Sequence, residues 1–515
     1  MKYFIISLVI IMHSLIFAQI QWQENGIPVR HGENIKWNGT TVSCDDGNLV
    51  CIWSDTRNGC SGIFAQKMSP DGVLLWGEEG IQVNDAENVQ DSPVAISVDN
   101  NFVIVAWKNF QNWDNMEIRA QKIDANGNLL WDSEGILLGF YYDIEAKIFI
   151  VNDGTDGALI FWEDNSMNAP SIYGTHILAD ETIAPGWEVN GNQIIPSLYS
   201  LYYFNIIADG FGGAVLSWTY SNDLYMQRVD GSGNLLWGIN GTILCDDAQN
   251  YVTISTDNNG IYYFFWIDLR NYPQRSIYMQ KVDQNGNKLW IEDELIQQNS
   301  SLSRIKSVMG NDGYPIICWK QSNQYYIELY AQKVDNQGNI LWEPSGLPIC
   351  INDNCWSFNL ISDNYEGCWF TWEMGIAIAP YYDIYIQHVN SNGSILLEEN
   401  GMPICSAENY QGQPSINTSI NDEIYISWED WRTDSASIYS QVLNYDGIIQ
   451  LPENGIEIFG GLSGETYNLK ILPNGDNPFL IWRDNRYFND QIYIQSLNCD
   501  GSTVFEEDGI PITSF

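Results

Sequence analysis

A tryptophan recurs at Trp53, Trp107, Trp162, Trp218, Trp266, Trp319, Trp372, Trp428 and Trp482, in steps of 54, 55, 56, 48, 53, 53, 56 and 54 residues. A period of that length over nearly the whole chain restricts the fold to architectures that stack one supersecondary unit many times. Each of these tryptophans ends an apolar run such as VIVAW or EIYISW. A second signature follows, seen as IFAQKMSPDG from Ile63, IRAQKIDANG from Ile118, LYMQRVDGSG from Leu224, IYMQKVDQNG from Ile277 and LYAQKVDNQG from Leu329. Its glutamine stands at Gln66, Gln121, Gln227, Gln280, Gln332, Gln387, Gln441 and Gln495; the third unit has Thr175 instead. A third signature is Leu-Trp, three spacers, Gly and an aliphatic residue, as in Trp76 to Gly80, Trp131 to Gly135, Trp237 to Gly241 and Trp342 to Gly346.

Each unit divides into four apolar runs separated by turn residues. In the second unit these are SPVAISVD from Ser92, NFVIVAW from Asn101, MEIRAQKID from Met116 and NLLWDSEGILL from Asn128. Turns such as Ala125-Asn126-Gly127-Asn128 are hairpin signals, because Asn and Gly accept positive φ at little cost. Sustained helical periodicity is absent. The reading is an all-β chain, a β-propeller built from nine four-stranded repeats of about 54 residues. A parallel β-helix would need shorter coils, and separate sandwiches would leave units too small for a core of their own. Two smaller propellers are the alternative to one ring, and the 48-residue step between Trp218 and Trp266 reads as a shortened loop.

The first residues, Met1-Lys2 followed by an apolar run to Ala18, read as a signal peptide over 1–18, leaving 19–515 as a single propeller domain. No later stretch is apolar enough to span a bilayer. With 65 acidic against 22 basic residues the net charge is −43, which repels nucleic acid and anionic membranes. At 45% hydrophobic residues the chain nevertheless has enough apolar surface to fold. The expectation is an acidic monomer, secreted or held at the outer surface.

Sixteen of the 21 tryptophans fall on the two repeated positions, where packing between sheets explains them. Of the remaining five, Trp113, Trp356, Trp369 and Trp431 are the candidates for ligand stacking, and Trp37 is the fifth. The repeated glutamine, including Gln66, Gln121, Gln280 and Gln332, reads as a structural clasp, since a buried amide must satisfy both its ends. Four arginines, Arg57, Arg270, Arg432 and Arg486, follow the repeated Trp in the pattern Asp-x-Arg, as a bidentate lock on the turn. Asp124, Asn126, Asp283 and Asn285 form oxygen-rich turns that suggest a Ca2+ site, although tight hairpins alone explain the same residues. The histidines show no paired metal-binding spacing, and no catalytic residue is nominated. Cys51 with Cys60, or Cys350 with Cys355, are the candidate disulfides.

Together, Trp-x-Asp-x-Arg, then IYAQKVDxxGNxLW, then Gly-aliphatic-Pro-Ile resemble the secreted propeller-like repeat proteins of Bacteroidota-type bacteria over residues 22–512. The resemblance implies a propeller-like fold and export, and transfers no catalytic residue. Many proteins of this kind end in a sorting or immunoglobulin-like module that attaches them to the surface; here the sequence stops just after Gly509–Ile512, so release, or a truncated gene product, is as much expected as anchoring. The functional expectation is a noncatalytic binding or scaffold protein that recognises an extracellular glycan or a protein partner through its loops. The alternative is a glycoside hydrolase or polysaccharide lyase on the same fold.

Overall fold

The computed structural model describes residues 36–511 apart from 56–59, 70–72, 78–79, 85–87, 113–114, 142–145, 165–169, 197–201, 247, 376–381, 420, 433–436, 460–465, 474–476, 485–490 and 506–509. The signal segment lies outside the described residues. Among them there is no α-helix, and none is long and apolar enough to cross a membrane. The strands form four-stranded antiparallel meanders in chain order. Seven are separate sheets. The other two, Leu302–Met309 to Leu347–Cys350 and Asn354–Ser362 to Met402–Cys405, are linked into one eight-stranded sheet by the parallel pair Ile327↔Asn354.

The second strand of each unit reads as a continuous apolar run because its two faces are buried in two different cores. In Leu49–Asp55, Val50 and Ile52 pack with Val103, Val105 and Trp107 of the following unit. Leu49, Cys51 and Trp53 face the other way and pack with Phe479, Ile481 and Phe505 of the last unit. Successive side chains of a strand point to opposite faces, so burial of both faces removes the polar half of the usual alternation. Trp53 and its repeat partners are all at most 1% exposed.

The expected fourth strand is displaced. In the second unit Leu129 makes only an isolated bridge to Ile123, and the ladder resumes at Ile136–Phe140, after the glycine of the third signature. That glycine, Gly135, has φ +75, and a Cβ there would meet the Trp107 indole and the Ala120 carbonyl. The first repeated Trp therefore needs the later Gly of its own unit. The Trp of the third signature works between units: Trp76 Nε1–H donates to Ala125 O at 3.2 Å, and its ring covers Gly127 of the next hairpin.

The repeated glutamine is a clasp within its own unit. Gln121 Nε2 donates to Asp132 O at 2.8 Å, while its Oε1 accepts from the N–H groups of Lys122 and Trp131, each at 3.0 Å. Gln66 and Gln332 make the same reach to Gly77 O and Glu343 O. Gln280 donates instead to Asp293 Oδ1 and, at 3.4 Å, to Trp290 O.

The residue after this glutamine, or after Thr175 in the third unit, forms a second clasp. Lys67, His176, Arg228, Lys333 and His388 each pair with an aspartate in the turn between the first two strands of their unit: Asp46, Asp153, Asp209, Asp312 and Asp363. Several also reach the next unit, as when Arg228 donates to Gln284 O at 2.9 Å and Lys333 to Glu366 O at 2.7 Å. Burial of Lys67, Arg228 and Lys333 is compensated by pairing and hydrogen bonding together.

First strands of successive units are tied side by side. Asn152 Nδ2 donates to Ser97 O, Asn205 Nδ2 to Val252 O and Asn359 Nδ2 to Pro414 O. Ser43 Oγ, in the first unit, donates to Pro473 O in the last. First strands thus form the inner wall, and fourth strands lie outermost.

Candidate functional site

In most units the first strand slips register against the second near its start, as at Asp91/Val94, Tyr202/Asn205, Asn250/Val252, Ser303/Ile305, Cys355/Phe358 and Gly412/Ser415. Each slip is a bulge, which bends the strand and re-aims a side chain. Ser92, Tyr203, Tyr251, Arg304 and Gln413 occupy these bulges with φ between 43 and 54. Positive φ is uncommon for residues of this size, and such strain tends to collect at functional positions. The bulges lie at one end of the inner wall, so they surround one mouth of it.

The residue after each repeated Trp points away from that Trp and, in several units, reaches the bulge of the following unit. Lys320 Nζ donates to Trp356 O at 2.6 Å, Glu373 Oε1 accepts from the Gln413 N–H at 2.6 Å, and Ser54 Oγ donates to Asp91 Oδ1 at 3.3 Å.

Where the fifth to eighth units meet, this construction opens a cavity of about 450 Å³ whose lining includes Tyr251, Arg304, Lys320, Trp356, Glu373 and Tyr410. A second space of about 470 Å³ runs down the inner wall and shares Arg304 and Ser357 with the first. Volumes of this size accommodate small ligands or a few sugar residues. The aromatic rim is ordered: Trp356 lies edge-on to Tyr382 with centroids 6.1 Å apart, and Tyr382 edge-on to Tyr410 at 5.3 Å. Gly412 and Gly375 leave room for these rings, since a Cβ would run into Tyr410 and Tyr382 respectively. Trp356 is 41% exposed.

Charge in the cavity is unusual. Lys320 is buried without an ion pair among the described residues, and its ammonium is pushed down to about 8, first by burial and then by the neighbouring Arg304 charge, opposed by the Glu373 charge. Burial raises the Glu373 carboxyl, opposed by hydrogen bonds from Gln413 and Ser357. Glu429, next around the mouth, is raised to about 8 by burial and by the charge of Glu373.

Of the residues expected to stack on a ligand, Trp356 stands on this rim. Trp369 does not: it is fully buried, stacked on His388 with centroids 3.8 Å apart, and it fills an inter-unit core. It sits three residues before the repeated Trp, a core position held elsewhere by Val50, Ile104 and Ile316. Trp431 is half-buried, and its backbone N–H donates to Tyr410 O at 2.8 Å, which ties down the Tyr410 loop. Trp113 and the Trp37 side chain lie outside the described residues.

Asp124 and Asp283 cap their own hairpins on the far end of the sheets from the mouth. Asp124 Oδ1 accepts from the N–H groups of Asn126 and Asn128 at 2.8 and 2.9 Å, and Oδ2 accepts from Asn128 Nδ2 at 2.8 Å. Asp283 does the same with Asn285 and Asn287. Among the described residues no group of three or more His, Cys, Asp or Glu side chains is placed to hold a metal ion.

Arg270 and Arg432 are locks, as expected. Arg432 pairs with Asp430, donates to Asn454 O at 2.9 Å and lies 3.7 Å from the Tyr439 ring centroid. Arg57 and Arg486 fall outside the described residues. Cys51 faces Gln66 in mid-ladder and is buried, while Cys60 is exposed six residues earlier on the partner segment, so these two are not neighbours. Cys350 and Cys355 are neighbours.

The site residues that sequence reading missed are Tyr251, Arg304, Lys320, Glu373, Tyr382 and Tyr410. For Lys320 and Glu373 the signal was positional: the residue after the repeated Trp varies among the units while the Trp does not, as in Ser54, Lys108, Thr219, Ile267, Lys320 and Glu373.

No family model and no curated protein matches the chain. Solved structures do resemble it in fold. A eukaryotic initiation factor superposes with a TM-score of 0.50 at 8% identity, covering 93% of this chain and 97% of its own. Puromycin hydrolase is similar at TM-score 0.41 and 9% identity over 90% of this chain; the match spans only 61% of the hydrolase. An ulvan lyase, a polysaccharide lyase, is similar at TM-score 0.39 and 10% identity, covering 82% and 97% of the two chains. At these identities the likeness is one of fold alone.

Proposed function

We propose that the chain is an exported β-propeller of nine blades in one closed ring, which binds an extracellular glycan at the bulge-lined mouth without transforming it. The nine-blade reading is supported by the core that packs the first sheet on the last and by the Ser43 to Pro473 hydrogen bond. It treats the single Ile327↔Asn354 pair as a contact between two blades. Secretion rests on the apolar N-terminal segment.

The observation that carries the binding reading is the rim of Tyr251, Trp356, Tyr382 and Tyr410 beside a cavity with polar groups. Aromatic faces cover the apolar side of a sugar ring, while amides, carboxyls and ammonium groups meet its hydroxyls. The test is affinity electrophoresis of the mature chain through immobilised polysaccharides. Retardation that is lost in Trp356→Ala supports the reading, and uniform mobility through every polysaccharide refutes it.

One observation favours the second reading, a hydrolase or lyase. Glu373, Tyr410, Arg304 and Lys320 share a cavity, which is the carboxylate, tyrosine and arginine set such chemistry employs. Release of reducing sugar, or of an unsaturated uronate, from a retained polysaccharide would establish this reading in place of the first.

A further inference from the structure

The glycan reading leaves the chemical class of the ligand open, and the cations at the mouth address it. The chain carries 22 basic residues against 65 acidic ones, yet Arg304, Lys306, Lys320 and Lys470 gather along one arc of the mouth and inner wall. Elsewhere the buried Lys67, Lys122, Arg228 and Lys333 and the half-buried Arg432 each have an aspartate partner. Among the described residues Lys320 and Arg304 have none within ion-pair distance. Lys320 is 7% exposed and its ammonium is held between the Trp356 carbonyl, at 2.6 Å, and the Trp356 ring, at 5.8 Å. One hydrogen bond leaves two of its three N–H donors available. Arg304 is exposed, on a bulge at φ 43, and lines both spaces.

Two like charges placed together, one of them buried and neither in a direct ion pair among the described residues, raise the free energy of the empty site, and the more distant Glu373 carboxyl offsets only part of this. Burial and the Glu373 charge raise Glu429 to about 8, which favours its neutral form and weakens it as a counter-charge. Glu373 faces the same cavity and its charge favours the Lys320 ammonium, but it lies outside ion-pair distance and its Oε1 accepts from the Gln413 N–H, so it leaves the Lys320 donors open. Attraction of an anion must be local in any case, because the net charge of −43 repels anions at long range.

Resting on the glycan reading, we propose that the ligand is an anionic glycan whose carboxylate or sulfate group is received by Lys320 and Arg304, with the adjoining sugar ring against Trp356. A uronate and a sulfate ester share this chemistry, and the experiment separates them.

Affinity electrophoresis of the mature chain is run through polygalacturonate (carboxylate), dextran sulfate (sulfate) and hydroxyethyl cellulose (neutral), with wild type, Arg304→Gln, Lys320→Met and Trp356→Ala. Gln is compatible with the bulge, since Gln413 holds the equivalent place at φ 51, and Met keeps the Lys320 stem. Arg304 is exposed, so its variant tests the proposal even if Lys320→Met fails to fold. The expected result is retardation by one or both acidic polymers, weakened roughly tenfold by each charge substitution. Retardation by the neutral polymer alone, lost in Trp356→Ala and unchanged in the charge variants, overturns the anionic class and leaves glycan binding standing. Acidic polymers retained equally by wild type and both charge variants overturn the site. No retardation by any polymer overturns the glycan reading itself.

Discussion

Trp342 Nε1–H donates to the carbonyl oxygen of Ser391, 3.1 Å away and 49 residues later, so one side chain ties its own sheet to the hairpin of the next. Its ring also closes over Gly393. Leu397 and Leu451 stand at the equivalent place in later units and cover Gly447 and Gly501 without any such hydrogen bond. Trp342→Leu is therefore sterically tolerable and should cost about 2–3 kcal/mol through lost packing and the unpaired carbonyl. Trp342→Phe should cost less. Urea unfolding followed by tryptophan fluorescence and circular dichroism reads both, and an unchanged midpoint for Trp342→Leu would refute the inter-unit role.

The Gln121 clasp predicts a pH-dependent variant. Gln121→Leu strands the N–H groups of Lys122 and Trp131 and the carbonyl of Asp132, a loss of about 2–4 kcal/mol. Gln121→Glu keeps the acceptor but, once ionised, cannot donate to Asp132 O. Only its protonated form restores that bond, so the folded carboxyl binds its proton more tightly than the unfolded one. The variant should be most stable below the ordinary glutamate range and lose stability as pH rises through its folded pKa. A thermal midpoint for Gln121→Glu that follows wild type at every pH would contradict the clasp.

How far the sequence discloses this molecule depends on whether a contact recurs. Trp107 over Gly135, Trp76 over Gly127 and Gln121 on Asp132 recur with little change from unit to unit, so the same residue types are called for each time and their period is visible. The second clasp recurs too, but as Lys67, His176 or Arg228, and its aspartate partner lies in a turn of variable spelling. Trp369 looked exceptional only because a core position usually held by an aliphatic residue carries an indole there. The mouth is the least legible part. A bulge interrupts the two-residue alternation that reveals a strand, and Tyr203, Tyr251, Arg304, Trp356 and Gln413 have no chemistry in common except their place in the fold.

Cys350 Sγ and Cys355 Sγ are 2.8 Å apart, both buried, at the turn that leads into the Trp356 bulge. With oxidised glutathione as acceptor of the two electrons, they should form an intramolecular disulfide, leaving the peptide spanning 350–355 two hydrogens lighter by mass spectrometry. Cys355→Ser should abolish that product. Closing so short a loop constrains the unfolded chain modestly, so a small rise in thermal midpoint is expected on oxidation. Detection of Cys350 or Cys355 paired to any other cysteine would overturn the assignment.

Glu429 provides the remaining test, in the opposite face of the stability profile from an ordinary paired carboxylate. It is buried, Oε1 finds no hydrogen-bond partner, and the Gln413 amide lies 3.5 Å from Oε2. Burial and the nearby Glu373 raise its carboxyl from an ordinary 4.5 to about 8 in the folded chain, with Tyr410 alongside. Between those values the folded state binds more protons than the unfolded state. Its contribution to stability is thus fully present below about 4.5 and is lost as pH rises towards and through about 8. Glu429→Gln removes the titration while keeping the shape. The variant should unfold at nearly the wild-type temperature at acid pH and at a progressively higher one on approaching pH 8, with the gap read by calorimetry across that range. A constant difference would mean that Glu429 is ionised in the folded chain and that Lys320 and Arg304 already have their counter-charge.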